Sequence, residues 1–329
     1  MTSMRRSMAS PTRNSKALCL AGAALLAALA FFSLFCGKYP LTLSGLLGGD
    51  AMQWRVFWTL RFSRTAAGVI GGFALGVAGF VYQTVFRNPL ASPDVIGVSS
   101  GASAGAAAGI LFLSGAAAVT AAAFAGALAA VCLALALSSL DRSGRRSTIV
   151  LAGIAVHSLA QTALMALKLT ADPERELASI EYWIMGSLNG ISGYAVGGNL
   201  ALCAVCAAAL FALHRQILLL SAEEGEAKLL GVSVGRLRLA VLGAATLAVA
   251  CVVSLSGLIS FIGLLAPHGA RLLTRRNGPG TMLLGGVLLV GADILARTAA
   301  ATELPVSIFT SLLGAPFLIY LIARGRRDV

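Results

Sequence analysis

The chain has 329 residues, 58% of them hydrophobic and 12% charged, and a formal net charge of +12. A water-soluble domain carries roughly a quarter charged residues and has no place for so much apolar surface, so the composition excludes a soluble fold. It also excludes a nucleic-acid-binding surface, because the Lys and Arg residues stand in clumps at the ends of apolar runs, with few aromatic residues among them.

The first sixteen residues form a basic tail with Arg5, Arg6, Arg13 and Lys16, expected to be disordered and cytoplasmic. An uncharged run from Ala17 to Cys36 follows, long enough as a helix to cross a hydrocarbon core about 30 Å thick. The run exceeds the roughly 7 to 15 apolar residues of a signal peptide, and Phe31, Phe32, Leu34 and Phe35 do not suit a small-residue cleavage site, so a retained first span is expected. Apolar runs then predict helices at about 65–86, 95–114, 116–139, 148–169, 192–213, 239–257, 259–272, 281–300 and 306–323. With the run at 17–36 they give an all-α polytopic membrane protein of about ten transmembrane helices, in one transmembrane domain over 17–329.

Two hairpins are tight. The stretch 95–140, between Arg87 and the cluster Arg142, Arg145 and Arg146, supplies about 69 Å of helix, enough to cross out and back with a turn near Ser114 and Gly115. The stretch 239–270, between Arg238 and Arg271, supplies only about 48 Å, so one of its two helices is short, tilted or broken. Gly257 offers the turn there, and Pro267 removes a backbone donor. This threading puts eighteen of the 25 Lys and Arg residues on the side that holds both termini, which the positive-inside rule makes cytoplasmic. The loop from Thr170 to Glu181, on the other side, is acidic through Asp172, Glu174, Glu176 and Glu181.

Glycine-rich strings such as GVIGGFALGVAG (Gly68–Gly79) report close helix packing, because lipid tails offer no hydrophobic drive and helices associate through small residues. They are not phosphate loops: no GxxxxGK[ST] occurs, and Gly37–Lys38 is followed by Tyr39. No metal site or other cofactor is expected. Cys203 and Cys206 form a lone CxxC inside an apolar run, and His157, His214 and His268 are scattered. HExxH is absent, and the GxSxG strings at 97–101 and 101–105 lie inside an apolar small-residue run, so no catalytic residue is expected and the chain does not read as an enzyme.

Four groups of residues stand out. Ser221 with Glu224 three residues on makes a capping box, Glu223, Glu224 and Glu226 suit a helix N-terminus, Leu229 and Leu230 give it an apolar face, and Gly231 can end it before Val232 and Arg236. By itself this is either a capped surface helix or a docking element. Arg61, Arg64 and Arg297 fall on the outer side against the charge trend, as snorkelling side chains or as exposed partners for carboxylates. Asn88, Pro89 and Leu90 predict a turn at the inner end of the second span. Asp293 has Arg297 four residues on, within pairing reach, and His268 beside Pro267 reads as a packing or backbone-bonding residue.

LRFSR (Leu60–Arg64), RNPLASPDVIGVSSGASAG (Arg87–Gly105), WIMGS (Trp183–Ser187), EAKLLGVSVGRLR (Glu226–Arg238), GLISFIGLLAPHGARLL (Gly257–Leu273), DILAR (Asp293–Arg297) and ELPVSIFTSLLGAPF (Glu303–Phe317) together resemble the FecCD permease family, in order from about Gln53 to Ala323. These are the membrane subunits of type II ABC importers for iron-siderophore complexes, haem and cobalamin. The resemblance implies a prokaryotic inner-membrane permease paired with itself or a paralogue. It also implies two ATPase subunits that use ATP and Mg, an extracytoplasmic binding protein, and an alternating-access cycle with no chemistry on this chain. It assigns ATPase coupling to Ser221–Arg236, binding-protein docking to Arg61, Arg64 and Arg297, and an inner gate region to Asn88–Leu90. A ferric siderophore is the expected cargo by analogy, with haem or cobalamin as alternatives; an ion-coupled carrier would show mid-span ionisable groups, and few are present. Ser63 replaces the family's usual Pro, and Ala266 and Gly269 alter its VPHIAR-like string.

Overall fold

The computed structural model describes residues 13–140, 146–191, 197–221, 233–274 and 280–325. Among them no strand occurs. The helices are α1 (Arg13–Phe35), α2 (Leu43–Leu47), α3 (Ala51–Val56), α4 (Ser63–Val85), α5 (Val98–Phe112), α6 (Ala116–Ser139), α7 (Arg146–Thr170), α8 (Glu176–Met185), α9 (Gly197–Ala212), α10 (His214–Leu219), α11 (Val234–Ser256), α12 (Ile262–Thr274), α13 (Gly280–Thr298) and α14 (Val306–Gly325). A π-helical segment, Phe57–Phe62, joins α3 to α4, and a 3₁₀ turn, Pro93–Ile96, precedes α5. Each of the ten expected segments is occupied by a helix. Six helical stretches are long and apolar enough to cross a membrane: Ala17–Phe35, Ala51–Val85, Ala116–Ser139, Thr148–Thr170, Val234–Ser256 and Gly280–Thr298. The other four helices, α5, α9, α12 and α14, are shorter or less apolar.

Helix α4 is the spine of the bundle, and its glycines explain why. A Cβ on Gly72 would stand 2.5 Å from the carbonyl oxygen of Gly285, and one on Gly76 would stand 2.4 Å from that of Thr281. The α4 and α13 backbones therefore touch where only glycine fits, which lets dispersion and weak Cα–H···O contacts replace the hydrophobic drive that lipid removes. Gly101 and Gly105 of α5 meet α6 in the same way, against the carbonyls of Gly126 and Ala122. Where α4 turns away from these seams it buries bulk: Phe80, Val81 and Tyr82 are fully enclosed, and the Tyr82 hydroxyl lies 2.6 Å from that of Thr246 on α11. Cys203, Cys206 and Cys251 are buried among α9 and α11, where each packs as a small hydrophobe.

The short hairpin is broken at its turn and not at its proline. Gly257 (φ +69°) and Phe261 (φ +68°) end α11 and launch α12, and α12 then runs thirteen residues through Pro267. That length is about 20 Å, short of a full crossing. Pro267 has no N–H for the carbonyl four residues back, which is Gly263. That same Gly263 oxygen faces α4 so closely that a Cβ on Gly79 would stand 1.7 Å from it. The proline thus frees a carbonyl where two helices come nearest, and α12 docks on α4 without a break. The expected turn near Ser114 and Gly115 is also present: Gly115 at φ +91° separates α5 from α6.

Candidate functional site

At the end of the bundle where α1 stops and α4 begins, five charged side chains form one buried cluster. The π-helical turn sets it up. By widening the helix just before α4 it keeps Trp54, Trp58 and Phe62 on the exposed face, where Trp54 stacks on Trp58 and Phe62 meets Trp58 at a tilt, and turns Arg61 inward. Asp293 of α13 is the hub. Its Oδ1 accepts from Arg64 Nε at 3.0 Å and Nη2 at 2.8 Å, and its Oδ2 accepts from Arg297 Nη2 at 2.5 Å. Arg64 Nη1 donates to Glu303 Oε2 at 2.7 Å and to Asn189 Oδ1 at 3.4 Å. Arg297 also donates to the Ser33 hydroxyl and to the carbonyls of Ser33 and Cys36, and the Ser33 hydroxyl lies 2.8 Å from that of Thr65. Arg61 donates to the carbonyls of Cys36 at 2.6 Å and Tyr39 at 3.2 Å, closing the end of α1.

This corrects the expectation that the three arginines stand exposed. Arg61, Arg64 and Arg297 are 7%, 6% and 5% accessible, because a guanidinium near the membrane is stabilised by carboxylates and carbonyls from neighbouring helices more than by reaching for water. The Asp293–Arg297 pair forms as its spacing indicates. Composition and spacing gave no sign of Ser33, Asn189 or Glu303 as members, since each comes from a different segment far away in the chain.

Beside the cluster lies a cavity of about 850 Å³, lined among others by Thr120, Ser179, Tyr182, Trp183, Ser187 and Ser256. Its wall is knitted by backbone. Ser187 N donates to Ser256 O at 2.6 Å, Val306 N to Gly186 O at 3.0 Å, and the Ser307 hydroxyl to Met185 O. Gly186 (φ +70°) permits this, since a Cβ there would stand 1.9 Å from Leu258 O. Helix α7 carries a second polar feature. His157, Ser158 and Thr162 are exposed midway along it, with Gln161 half-buried, among apolar residues such as Ile154 and Met165. The Ser158 and Thr162 hydroxyls are satisfied on the carbonyls of Ile154 and Ser158, but the His157 ring and the Gln161 amide are costly against lipid, so this face belongs against water or another subunit. Sequence reading missed it because hydropathy averages it away.

At the opposite end, Asn88, Pro89 and Leu90 form the expected turn, exposed. Asn88 Oδ1 accepts from Leu90 N at 2.9 Å and its carbonyl from Ala91 N at 3.1 Å, while Pro89 presets the turn's backbone. Close by, Arg271 Nη2 donates to Gln83 Oε1 at 2.6 Å and to His268 Nδ1 at 3.2 Å, and the His268 ring sits edge-on to Phe317 at 5.6 Å. His268 is thus a packing and hydrogen-bonding residue that joins α12 to α14. Of the expected coupling residues, Ser221 is exposed with its hydroxyl on Leu218 O at 2.6 Å, and Arg236 is exposed in the first turn of α11. Glu224, Glu226, Leu229, Leu230, Gly231 and Val232 lie outside the described residues. Among the described residues, no group of three or more His, Cys, Asp or Glu side chains is gathered to hold a metal.

The sequence profile of the FecCD transport family matches residues 25–324. A cobalamin import system permease of Halobacterium salinarum is 39% identical over 80% of this chain and 72% of its own length. A molybdate import system permease of Haemophilus influenzae is 33% identical over 92% and 94%. A solved structure assigned to the metal-chelate type of ABC transporter, in an inward-facing conformation, superposes with a TM-score of 0.84 at 30% identity, covering 94% of this chain and 99% of its own.

Proposed function

This chain belongs to the FecCD transport family as a membrane-spanning, non-catalytic permease subunit of an ABC transporter, and from that premise we propose that it imports a ferric siderophore handed over by an extracytoplasmic binding protein. In this reading the ten expected segments make up the transmembrane domain, with α12 entering only part of the way, both termini are cytoplasmic, the arginine cluster faces outward and Ser221–Arg236 meets the ATPase. A second permease subunit, identical or paralogous, completes the pathway. The observation that carries the reading is the polar stripe on α7: His157 and Gln161 in mid-helix call for a polar neighbour, which a path between two permease subunits supplies. The cavity of about 850 Å³ with Tyr182 and Trp183 in its wall is roomy for half of a vestibule that receives a bulky chelate.

ATP closure of the ATPase pair would move the coupling segment, and helices locked at glycine seams would carry that motion as rigid bodies. One specific observation favours a second cargo: the relative at 39% identity belongs to a cobalamin import system. Proteoliposomes holding this permease, its ATPase and its binding protein separate the two. ATP-dependent accumulation of a ⁵⁵Fe-siderophore, with excess cobalamin unable to compete, is the expected result. Accumulation of cobalamin alone would replace the siderophore reading, and uptake that follows an ion gradient without ATP would reject the whole mechanism.

A further inference from the structure

Resting on the docking reading above, we propose that Glu303 is an internal stand-in for the binding protein's carboxylate: it occupies Arg64 until an acidic side chain of the docked partner takes its place, and its release loosens the wall of the outer cavity. The charge count asks for such a group. Arg64 and Arg297 pair with Asp293 and Glu303, while Arg61 bonds only to carbonyls, so among the described residues the cluster holds one positive charge in excess with each arginine more than nine-tenths buried. Arg61 Nε is a buried side-chain donor with no partner among the described residues. A third carboxylate would balance the charge and give a buried donor something to bind.

The two acids present are not equally held. Asp293 is 3% exposed, sits in α13 and accepts three N–H bonds from two arginines. Glu303 is 17% exposed, lies in the non-helical strap 299–305, and receives one bond from Arg64. An incoming carboxylate therefore displaces Glu303 and leaves Asp293 in place. The strap it frees is tied at one end to α13, where Leu304 N donates to Ala296 O, and at the other to the segment beside the cavity, where Val306 N donates to Gly186 O, at 3.0 Å each. Arg64 Nη1 itself also reaches Asn189, on the loop beside that wall. One guanidinium edge thus connects the docking face to the segment that lines the vestibule.

The test uses the full permease–ATPase complex in nanodiscs and the purified binding protein encoded beside this permease, with affinity read by surface plasmon resonance. Glu303→Gln keeps the shape and removes the competing charge, so binding tightens by about fivefold. Asn189→Asp places a second competing carboxylate at Arg64 on an exposed position, and weakens binding by a similar factor. The double variant Asn189→Asp with Glu303→Gln returns to the affinity of the unmodified chain, which a merely structural role for Glu303 would not produce. Should Glu303→Gln fail to fold, Asn189→Asp alone decides. Binding that weakens with added salt while all three variants match the unmodified chain overturns the stand-in and leaves docking intact. Binding indifferent to salt between about 50 and 500 mM removes the docking reading and this one with it.

Discussion

Replacing Asp293 by Asn isolates the value of the hub. The side chain is 3% exposed and takes N–H bonds of 3.0, 2.8 and 2.5 Å from two arginines. Asn keeps the volume and one acceptor oxygen, but it removes the only carboxylate that both Arg64 and Arg297 share and turns an –NH₂ toward one of them. Breaking a buried ion pair from one side leaves an uncompensated charge and costs about 3–5 kcal/mol. For a chain of this size that corresponds to a fall in melting temperature on the order of 10 °C. The control is Lys168→Ala, which breaks an exposed pair with Glu181 at 2.8 Å, where the loss is about 1 kcal/mol or less. Thermal unfolding of both variants in the same lipid nanodiscs, followed by intrinsic fluorescence, gives the comparison. If Asp293→Asn melts within about 2 °C of the unmodified chain, the cluster does not tie α4 to α13 and the reasoning fails.

Gly79→Ala would place a methyl 1.7 Å from Gly263 O, so α12 must move off α4. We expect little folded protein by size-exclusion chromatography, whereas Gly243→Ala, where a Cβ meets nothing within 4 Å, should behave normally. Leu229→Ala with Leu230→Ala removes the apolar face of the coupling segment. It should abolish substrate-stimulated ATP hydrolysis in the reconstituted complex while leaving binding-protein affinity unchanged, and retained stimulation would displace coupling from this segment.

Much of the fold was legible because hydropathy and charge act locally. Apolar runs bounded by arginines each located a helix, six of them long and apolar enough to cross a membrane, and the shortage of residues between Arg238 and Arg271 exposed the cramped hairpin before any coordinates. The short member is α12 and Gly257 makes the turn, while Pro267 costs only a bond to Gly263 O, which packs against Gly79. The three arginines were identified but placed in solvent. Their burial depends on Asp293 and Glu303 meeting Arg64 across 229 and 239 residues of chain, which no local pattern encodes. Two departures from the family strings have local reasons. Gly269 leaves room for Leu284, whose Cδ2 would stand 2.6 Å from an added Cβ, and the Ser63 hydroxyl closes the π turn on Trp58 O at 3.1 Å.

Sidedness is the claim on which transport direction, docking and coupling all depend. With the six native cysteines replaced, single cysteines at Glu174 and at Leu229 can be exposed in intact spheroplasts to a membrane-impermeant maleimide, then again after lysis. The account predicts that position 174 labels at once and position 229 only after the membrane is opened. Immediate labelling at 229 with protection at 174 would contradict it.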